Sequence, residues 1–324
     1  MAADFRVPDL VGALRDLVLQ IPRGQVSTYR AVAEALGDPE VAGFVGHWLL
    51  SPEAEGLPVH RVVHASGALG RAWGKTPEQA AQALVSEGVR VVGLKVEPLA
   101  RFFFWAFTSE RPLAQLRAEQ EAIARQVKLA PLPAVELLGA VDVAYRGEEA
   151  VAAFVLARAN GEELDYVTAR APARFPYVST YLAYRELPAY LAAVRAADRA
   201  GLRPAVILVD GNGVLHPRGA GVASHLGVVL DRATVGVAKG HLCGRVNTVG
   251  MTIGEWRPVV LGEDTAGAAL RTDRNVTLFI SPGHKADLGT SLAVVGELTA
   301  QGAFPPPLAL AHDLASEAAR GQQY

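Results

Sequence analysis

Two aspartates stand in segments whose other residues are apolar and typical of buried strands. Asp142 lies within residues 139–143, and Asp210 ends the apolar run 205–210. A carboxylate in such surroundings loses its hydration, and the free-energy cost is large unless a cation or a hydrogen-bond donor compensates it. If the two strands are neighbours, the carboxylates meet at one sheet edge and suit Mg²⁺ or Mn²⁺, which prefer oxygen ligands. Each aspartate could equally cap a turn, because aspartate at a strand end is common turn chemistry.

Four further polar side chains stand in segments next to the predicted elements. His216 follows a glycine-rich turn and Lys239 follows an apolar strand. His284 stands in a Ser-Pro-Gly segment, and Glu186 precedes a helical stretch. Taken singly, each histidine is more often structural, and a lone lysine more often lies on the surface. Functional groups collect in loops at strand ends, so the joint placement favours one site.

The elements that would position these side chains follow a regular order after about residue 110. A helix at 111–128 precedes three consecutive strands, the second and third of which are joined by an Asn-Gly turn. A helix and a continuous apolar strand come next, as in a buried parallel sheet. The predicted strands are 135–145, 150–158, 164–170, 205–210, 234–238 and 276–280, with helices at 187–199, between the last strands and after them. This order predicts an α/β mixed sheet flanked by helices.

The first hundred residues are predicted to be mainly α-helical. Apolar residues at helical spacing indicate a helix near residues 10–18. A turn at 37–39 leads into another helix at 40–50, so this region has a helix-turn-helix pattern, which alone is a weak signal for DNA binding. Thr76 begins a capping box, with glutamine three residues after the cap, and that helix should stop at Gly88.

The composition is that of a globular protein, and its change near residues 100–110 predicts two domains, 1–107 and 108–324. Half of the 324 residues are hydrophobic, and the formal net charge is −2. The first 107 residues carry 10 basic and 11 acidic side chains of the 31 and 33 in the whole chain, so neither domain is basic. Binding to phosphates therefore needs a local patch. The basic residues are mostly arginine, which either favours bidentate phosphate contacts or reflects a GC-rich genome.

Cysteine usage and hydropathy bear on the compartment. A single cysteine, Cys243, excludes an intrachain disulfide and fits a reducing cytoplasm. No N-terminal signal run and no apolar stretch of about 18 residues occur, so no membrane attachment is expected. The aromatic segment 102–107 is far too short to cross a bilayer and is interpreted as core or as a domain interface.

From about residue 111 to residue 310, the sequence resembles endonuclease V. The matching motifs occur in the order of that family, at 139–143, 176–177, 184–187, 209–213, 216–218, 223–227, 235–239 and 281–285. The resemblance implies a ribonuclease-H-like fold and a Mg²⁺-dependent enzyme, with Mn²⁺ as a substitute, that nicks DNA near a deaminated base. Cleavage would fall at the second phosphodiester on the 3′ side of deoxyinosine. Some members of the family cut inosine-containing RNA instead.

The resemblance also implies a role for each matching catalytic side chain. Asp142, Glu186 and Asp210 would be the metal ligands, with His284 assisting at that site and Lys239 neutralising the scissile phosphate. The metal would polarise the phosphate and generate the attacking hydroxide.

A second set of residues is expected at the DNA. Tyr177 would wedge into the duplex where the lesion base leaves the stack, unless it is a buried core aromatic. Backbone amides of Gly211 and Gly213 could approach that base closely, because glycine has no side chain. His216, in the His-Pro-Arg motif, is also expected to contact the DNA.

The sequence departs from the family pattern at two of these motifs. Residues 178–180 are Val-Ser-Thr where the family has Ile-Pro-Gly, so the loop after Tyr177 is expected to be less rigid. Asn212 stands where the family has histidine. Neither change removes a metal ligand, so cleavage is still expected.

Residues 5–100 resemble the DNA-binding domain of alkylguanine-DNA alkyltransferases and of alkyltransferase-like proteins. The matching segments are 21–24, 27–29, 45–46, 58–63, 67, 69–70 and 87–89. The alkyl-accepting cysteine of the Pro-Cys-His-Arg-Val motif is replaced by Val59, which has no nucleophilic atom. Tyr29 and Arg61 match family positions expected at the DNA, but Gly43 stands where the family inserts an arginine into the space of the flipped base.

Three interpretations of the first domain follow. It could sense alkylated or deaminated DNA, it could only add non-specific duplex affinity by tethering, or it could be a folded spacer. The leading hypothesis for the whole chain is a cytoplasmic, monomeric, Mg²⁺-dependent repair nuclease fused to a non-catalytic DNA-binding domain, with damaged double-stranded DNA as partner. The rival is a non-enzymatic lesion-binding protein whose nuclease site has decayed.

Overall fold

The structure, a computed structural model, describes residues 7–300 and 302–321, which form two compact units. The first unit comprises Pro8–Ala118, and the second begins at Glu119. The boundary between them falls within the helix Pro112–Gln126, whereas composition alone placed it between residues 107 and 108.

The first unit is built from helices and two short strand pairs. Its elements are α1 (Leu10–Gln20), β1 (Ser27–Thr28), α2 (Tyr29–Leu36), α3 (Ala42–Trp48), β2 (Val62–Val63), α4 (Pro77–Ser86), β3 (Val91–Val92), β4 (Lys95–Val96) and α5 (Leu99–Phe102). β1 pairs with β2 in parallel, and β3 pairs with β4 in antiparallel orientation. The predicted mainly helical first domain is confirmed.

Side-chain caps set the helix ends in this unit. The predicted capping box is present: the side chain of Thr76 accepts from the amide of Gln79, and Gln79 Oε1 accepts from the amide of Thr76. α2 ends at Gly37, whose φ of 108° favours glycine. The helix predicted at 40–50 is shorter, because a 3₁₀ turn at Pro39–Val41 precedes α3. Trp105 is 73% exposed, so this part of the aromatic segment is not core.

The second unit is a mixed sheet of eight strands, within the described part of the chain, covered by helices on both faces. Its elements are the part of α6 (Pro112–Gln126) from Glu119 onward, β5 (Leu137–Arg146), β6 (Glu149–Arg158), β7 (Glu163–Pro172), α7 (Leu182–Arg199), β8 (Val206–Asp210), α8 (Val222–Leu230), β9 (Thr234–Ala238), β10 (Trp256–Leu261), β11 (Asp264–Asp273), β12 (Val276–His284), α9 (Leu288–Leu298) and α10 (Pro306–Arg320). The strand order is β10-β11-β12-β9-β8-β5-β6-β7. Neighbouring strands are parallel in β5–β8–β9 and antiparallel elsewhere. The predicted fold class is confirmed.

Successive side chains of the central strands point to opposite faces of the sheet, so the core is divided into two layers. Val141 packs in the layer formed with α7 and α8. Ala140 and Leu208 pack in the opposite layer, formed with α9 and α10. Because successive side chains on a strand point to opposite faces, Asp142 and Asp210 belong to the face that α9 and α10 cover.

Two local predictions in this unit are wrong. Helices were expected between residues 238 and 276, but the described residues there form the antiparallel strands β10 and β11. Residues 266–269 are Ala-Gly-Ala-Ala, a composition that favours helix over strand, and pairing with β12 overrides that preference. β12 continues to His284 instead of ending at residue 280. Among the described residues, no helix combines the length and apolarity needed to cross a bilayer.

Candidate active site

Strand register brings the two aspartates together. β5 and β8 are parallel neighbours with Val141 opposite Val209, so Asp142 and Asp210 stand side by side on adjacent strands. Both line a pocket of about 450 Å³, called the acidic pocket below. Its lining also includes Gln120, Tyr177, Glu186, Gly211, Asn212, His216, Lys239 and His312. Most of the predicted site residues therefore share one pocket.

Asp142 is buried and hydrogen-bonded on both carboxylate oxygens. Its Oδ2 lies 2.7 Å from Nδ1 of His312 on α10, and its Oδ1 accepts from the amide of Val143. Burial raises the pKa of Asp142, the charge of Asp210 raises it further, and the two hydrogen bonds only partly oppose this. The ionised form is therefore costly here, and a cation would relieve that cost.

Glu186 reaches the same pocket from the first turns of α7. Burial raises its pKa to about 8, with further contributions from the charges of Asp142 and Asp210. A hydrogen bond from the hydroxyl of Tyr190 opposes the shift only in part. The protonated form of this carboxyl is therefore favoured as long as no cation lies nearby.

Lys239 follows β9 and is the cation that compensates Asp210. Its Nζ lies 3.0 Å from Oδ2 of Asp210 and 4.3 Å from the centroid of the Phe304 ring. The lysine side chain is half exposed, so its charge is accessible to a phosphate group that enters the pocket.

The donor set fits a divalent cation in chemistry, although it is not a preformed cluster. In the parts of the chain that the structure describes, no three His, Cys, Asp or Glu side chains form a ready metal-binding group. Asp142 is bonded to His312 and Asp210 to Lys239, so protein groups compensate both carboxylates. Carboxylate oxygens are ligands that suit Mg²⁺ and Mn²⁺, and a divalent ion would remove the repulsion that raises the pKa values of Asp142 and Glu186.

His284, predicted to assist at the metal site, is not among the residues that line the acidic pocket. β12 runs antiparallel to β9, so its last residue, His284, pairs with Thr234 at the start of β9, while Lys239 follows the end of β9. The ring is buried, with Nδ1 accepting from the amide of Lys128 and Nε2 lying 3.4 Å from Oδ1 of Asp231. His284 is thus buried and hydrogen-bonded at the opposite end of β9 from Lys239, and its assisting role stays a prediction.

The glycines after β8 are required by packing, and their amides, predicted to approach the lesion base, are hydrogen-bonded within the fold. The amide of Gly211 donates to the carbonyl of Val237, and that of Gly213 donates to Oγ of Ser281. A Cβ on Gly213 would lie 2.0 Å from the carbonyl oxygen of Pro282. Both amides are therefore used inside the fold and do not point to a bound base. The side chain between them, Asn212, lines the pocket and has a buried Oδ1 without a hydrogen-bond partner.

Tyr177 and His216 border the same pocket, but the first side chain is exposed and the second is buried. Tyr177 is 66% exposed, so the alternative of a buried core aromatic is excluded. His216 is only 3% exposed, and both ring nitrogens are engaged: Nε2 with the carbonyl of Thr180, and Nδ1 with the amide of Arg218. His216 therefore supports the pocket wall instead of presenting a free ring nitrogen to DNA.

Sequence reasoning missed His312. The residue lies on α10, an alanine-rich helix, and no strand end or glycine-rich loop marks its position. Only the packing of α10 across β5 and β6 places it at Asp142. The available signal was weak: a polar, titratable residue within a predicted C-terminal helix that covers the sheet.

The altered alkyltransferase motif of the first unit forms part of the scaffold. Val59 is 2% exposed. Arg61, expected at the DNA, instead donates to both carboxylate oxygens of Glu87 and to the carbonyl of Ile21, and His60 Nε2 lies 3.0 Å from Glu87 Oε1. Burial of Glu87 opposes ionisation, but these hydrogen bonds outweigh it and lower its pKa to about 2. The guanidinium of Arg61 is therefore engaged within the unit, and its contact with DNA stays a prediction.

A separate cavity of about 510 Å³ lies beside Tyr29 in this unit. The Tyr29 ring packs edge-on against His64, and burial raises the pKa of its hydroxyl. A Cβ at Gly43, on the cavity wall, would meet nothing within 4 Å, so the missing side chain leaves open space.

The mixed sheet with this strand order and helices on both faces has the ribonuclease-H-like fold class. Residues 121–313 match the family model described as Endonuclease V. The chain therefore belongs to the endonuclease V family and is a DNA repair endonuclease. Residues 12–89 match the model of the DNA-binding domain of 6-O-methylguanine DNA methyltransferase, which makes the first unit an alkyltransferase-like DNA-binding domain.

Relatives cover either the second unit or nearly the whole chain. Endonuclease V of Thermofilum pendens is 42% identical over 219 residues, which are 64% of this chain and 90% of that protein. A bifunctional methyltransferase/endonuclease of Picrophilus torridus is 30% identical over 306 residues, 94% of this chain and 95% of that protein. Among solved structures, Ciona intestinalis endonuclease V, in complex with a 24mer DNA containing an inosine followed by a ribo-adenosine, aligns with a TM-score of 0.59 and 25% identity over 65% of this chain and 99% of its own.

Proposed function

We propose that the second unit cleaves DNA at the second phosphodiester on the 3′ side of deoxyinosine, with Mg²⁺ as cofactor and Mn²⁺ as substitute. The main support for this proposal is the acidic pocket, where Asp142 and Asp210 stand on adjacent strands and Glu186 faces them from α7. The choice of lesion is supported by the inosine-containing DNA bound to the Ciona relative.

Each polar group of the pocket has a proposed part in the reaction. Asp142 and Asp210 would hold the cation, with Glu186 completing the site after it loses its proton. The cation supplies polarisation of the phosphate and activation of water. Lys239 would turn from Asp210 to the scissile phosphate and neutralise its charge. His312, with Nδ1 held by Asp142, would offer Nε2 for proton exchange near the reacting phosphate.

Tyr177 is proposed to separate the stacked bases beside the lesion. Its ring is exposed at the rim of the acidic pocket, so it can enter a duplex whose scissile strand lies over the carboxylates. An aromatic wedge of this kind works against stacking, which costs a few kcal/mol per base step.

The first unit is proposed to add duplex affinity without alkyl transfer. Val59 offers no nucleophile, Arg61 is engaged by Glu87, and Gly43 has no side chain to fill the place of a flipped base. Sensing of a specific lesion by this unit is the competing proposal. The two differ in outcome: general affinity would help cleavage of every inosine duplex equally, while sensing would show a preference for added alkylguanine.

The decisive experiment is incubation of the full chain with an end-labelled inosine duplex in Mg²⁺ or in EDTA. We expect a single nick in Mg²⁺, at the second phosphodiester 3′ of the lesion, and none in EDTA. Binding without a nick in both buffers would instead support a non-catalytic lesion-binding protein. A matched inosine-containing RNA, an alkylguanine duplex and an undamaged duplex complete the series, and faster cleavage of the RNA would reassign the working substrate.

A further inference from the structure

One backbone oxygen at the rim of the acidic pocket receives three side-chain donors. The carbonyl of Thr180 accepts from Nε2 of Gln120 at 3.0 Å, from Nε2 of His216 at 3.0 Å and from Nη2 of Arg218 at 2.7 Å. A carbonyl oxygen has two lone pairs, so three donors on one oxygen are an unusual concentration of polar groups. We call this arrangement the Thr180 anchor.

The three donors are locked by one another. Gln120 Oε1 accepts from Nε of Arg218 at 2.5 Å, and the guanidinium of Arg218 lies 4.4 Å from the centroid of the Tyr181 ring. Nδ1 of His216 accepts from the amide of Arg218, so the ring proton is on Nε2 and points to Thr180. Gln120 is 1% exposed, and burial lowers the pKa of His216 to about 3, which keeps the ring neutral and this tautomer in place.

The anchor closes one end of the loop that carries Tyr177, residues 176–179. At the other end, Nη1 of Arg185 donates to the carbonyl of Phe175 at 2.6 Å, and the guanidinium stacks on Tyr145. Side-chain hydrogen bonds to the backbone therefore fasten the loop at both ends, although residues 178–180 include neither proline nor glycine. Side-chain anchoring supplies rigidity that the loop sequence itself does not.

We propose that Gln120, His216 and Arg218 are positioning residues that hold Tyr177 rigid for insertion into duplex DNA, and so determine whether a lesion in a duplex can be cut. This rests on the proposed function of the acidic pocket. A wedge that unstacks bases must resist a load of a few kcal/mol, and a mobile loop would yield to it. A lesion in a single strand is already unstacked and places no such load on the loop.

The anchor is tested by the substitution Gln120→Met, which keeps the length of the side chain and removes its donor and acceptor. We expect cleavage of an inosine duplex to fall about 10-fold, while cleavage of the same lesion in a single strand changes less than about 2-fold. Tyr177→Ala should show the same selectivity, and the double variant should be little worse than either single one. Gln126→Met, on the exposed part of the same helix, is the matched control and should cut both substrates like the unaltered chain.

A fluorescence measurement that does not need cleavage tests the role of the Thr180 anchor independently of the nuclease activity. 2-Aminopurine placed beside inosine in a duplex, in EDTA, should brighten when the unaltered chain binds and unstacks it. The signal should be lost with Gln120→Met and with Arg218→Lys, a second variant that retains the positive charge. Equal loss of cleavage on duplex and single strand, or full brightening with both variants, would contradict the proposal that the Thr180 anchor positions Tyr177. Absence of any nick by the unaltered chain would overturn only the proposed function, since the fluorescence still reports on the anchor.

Discussion

Two glutamates, one in each unit, lie among polar partners, and their pKa values shift in opposite directions. Glu87 in the first unit accepts hydrogen bonds from Arg61, His60 and the amide of Gly24, and its pKa falls to about 2. Glu186 in the second unit is half-buried beside the charges of Asp142 and Asp210, and loss of hydration together with these charges raises its pKa to about 8. Hydrogen bonds to the protein stabilise the ionised form of the first carboxylate, whereas burial and neighbouring negative charges disfavour the ionised form of the second.

The contrast separates scaffold from site within one chain. The alkyltransferase-like motif retains its histidine and arginine, yet both now hold a helix end in place through Glu87. In the acidic pocket, neighbouring groups destabilise each other's charged forms, which is the usual condition of a site that binds a cation or performs proton transfer. Retention of motif residues is therefore a weaker sign of function than the electrostatic state in which the fold holds them.

The largest expected effect is the loss of catalysis in Asp210→Asn. The substitution keeps the shape of the side chain but removes a metal-ligating charge, so nicking of the inosine duplex should fall by about 10³-fold or more. Duplex binding, measured by fluorescence anisotropy, should stay within about 3-fold. Asp264→Asn, at the exposed start of β11, is the control and should cut normally. Nicking at an undiminished rate by Asp210→Asn would remove the metal role from this pocket.

A smaller effect distinguishes two histidines of the same unit. His312→Gln should lower single-turnover cleavage by about 10- to 100-fold without loss of stability, because its ring supports Asp142 from a partly exposed position. His284→Gln should instead lower the free energy of unfolding by about 1–3 kcal/mol, since a buried, hydrogen-bonded ring is disturbed, while folded molecules still cut. The reverse pattern would restore His284 to the active site.

Acid should destabilise the two units in different pH windows. In the second unit, burial lowers the pKa of His216 to about 3 and that of His225 to about 4. Below pH 6.5 these histidines are therefore protonated in the unfolded chain but stay neutral in the folded unit, which favours unfolding. Each histidine should cost about 1–2 kcal/mol between pH 6.5 and pH 5. Glu87 has a depressed pKa, so its contribution in the first unit is lost only below about pH 4.5. Hydrogen exchange should thus accelerate in α8 before α4, and simultaneous loss of protection would argue against this assignment.

The smallest expected effect is that of Val59→Cys on alkyl transfer. The new thiol would be buried, which raises a thiol pKa and suppresses the thiolate, and Gly43 would still provide nothing to occupy the place of a flipped base. No labelled alkyl group should pass from O6-methylguanine DNA to this variant or to its control, Val59→Ala. Transfer to the cysteine variant would show that the first unit is a transferase lacking only its nucleophile.

Sequence patterns predicted what local chemistry determines. The capping box at Thr76, the three consecutive strands and the buried strand ending in Asp210 all follow from residue preference and periodicity. Adjacent placement of Asp142 and Asp210 was also within reach, because it needs only that two apolar strands be neighbours.

The rest depends on relations between distant segments. The position of His284 opposite the start of β9 could not be predicted, because the direction of a strand within a sheet is not determined by its own residues. His312 was missed because only the packing of α10 over the sheet brings it to Asp142. The committed amides of Gly211 and Gly213 likewise become visible only with the neighbouring strands in place.

The proposed nuclease activity of the acidic pocket depends most directly on where a divalent ion binds. The measurement that tests it is an anomalous difference map from crystals of the full chain soaked in Mn²⁺. The predicted result is a peak in the acidic pocket with oxygens of both Asp142 and Asp210 at about 2.1 Å. A map with no peak there, or with a peak that touches neither carboxylate, would contradict the assignment.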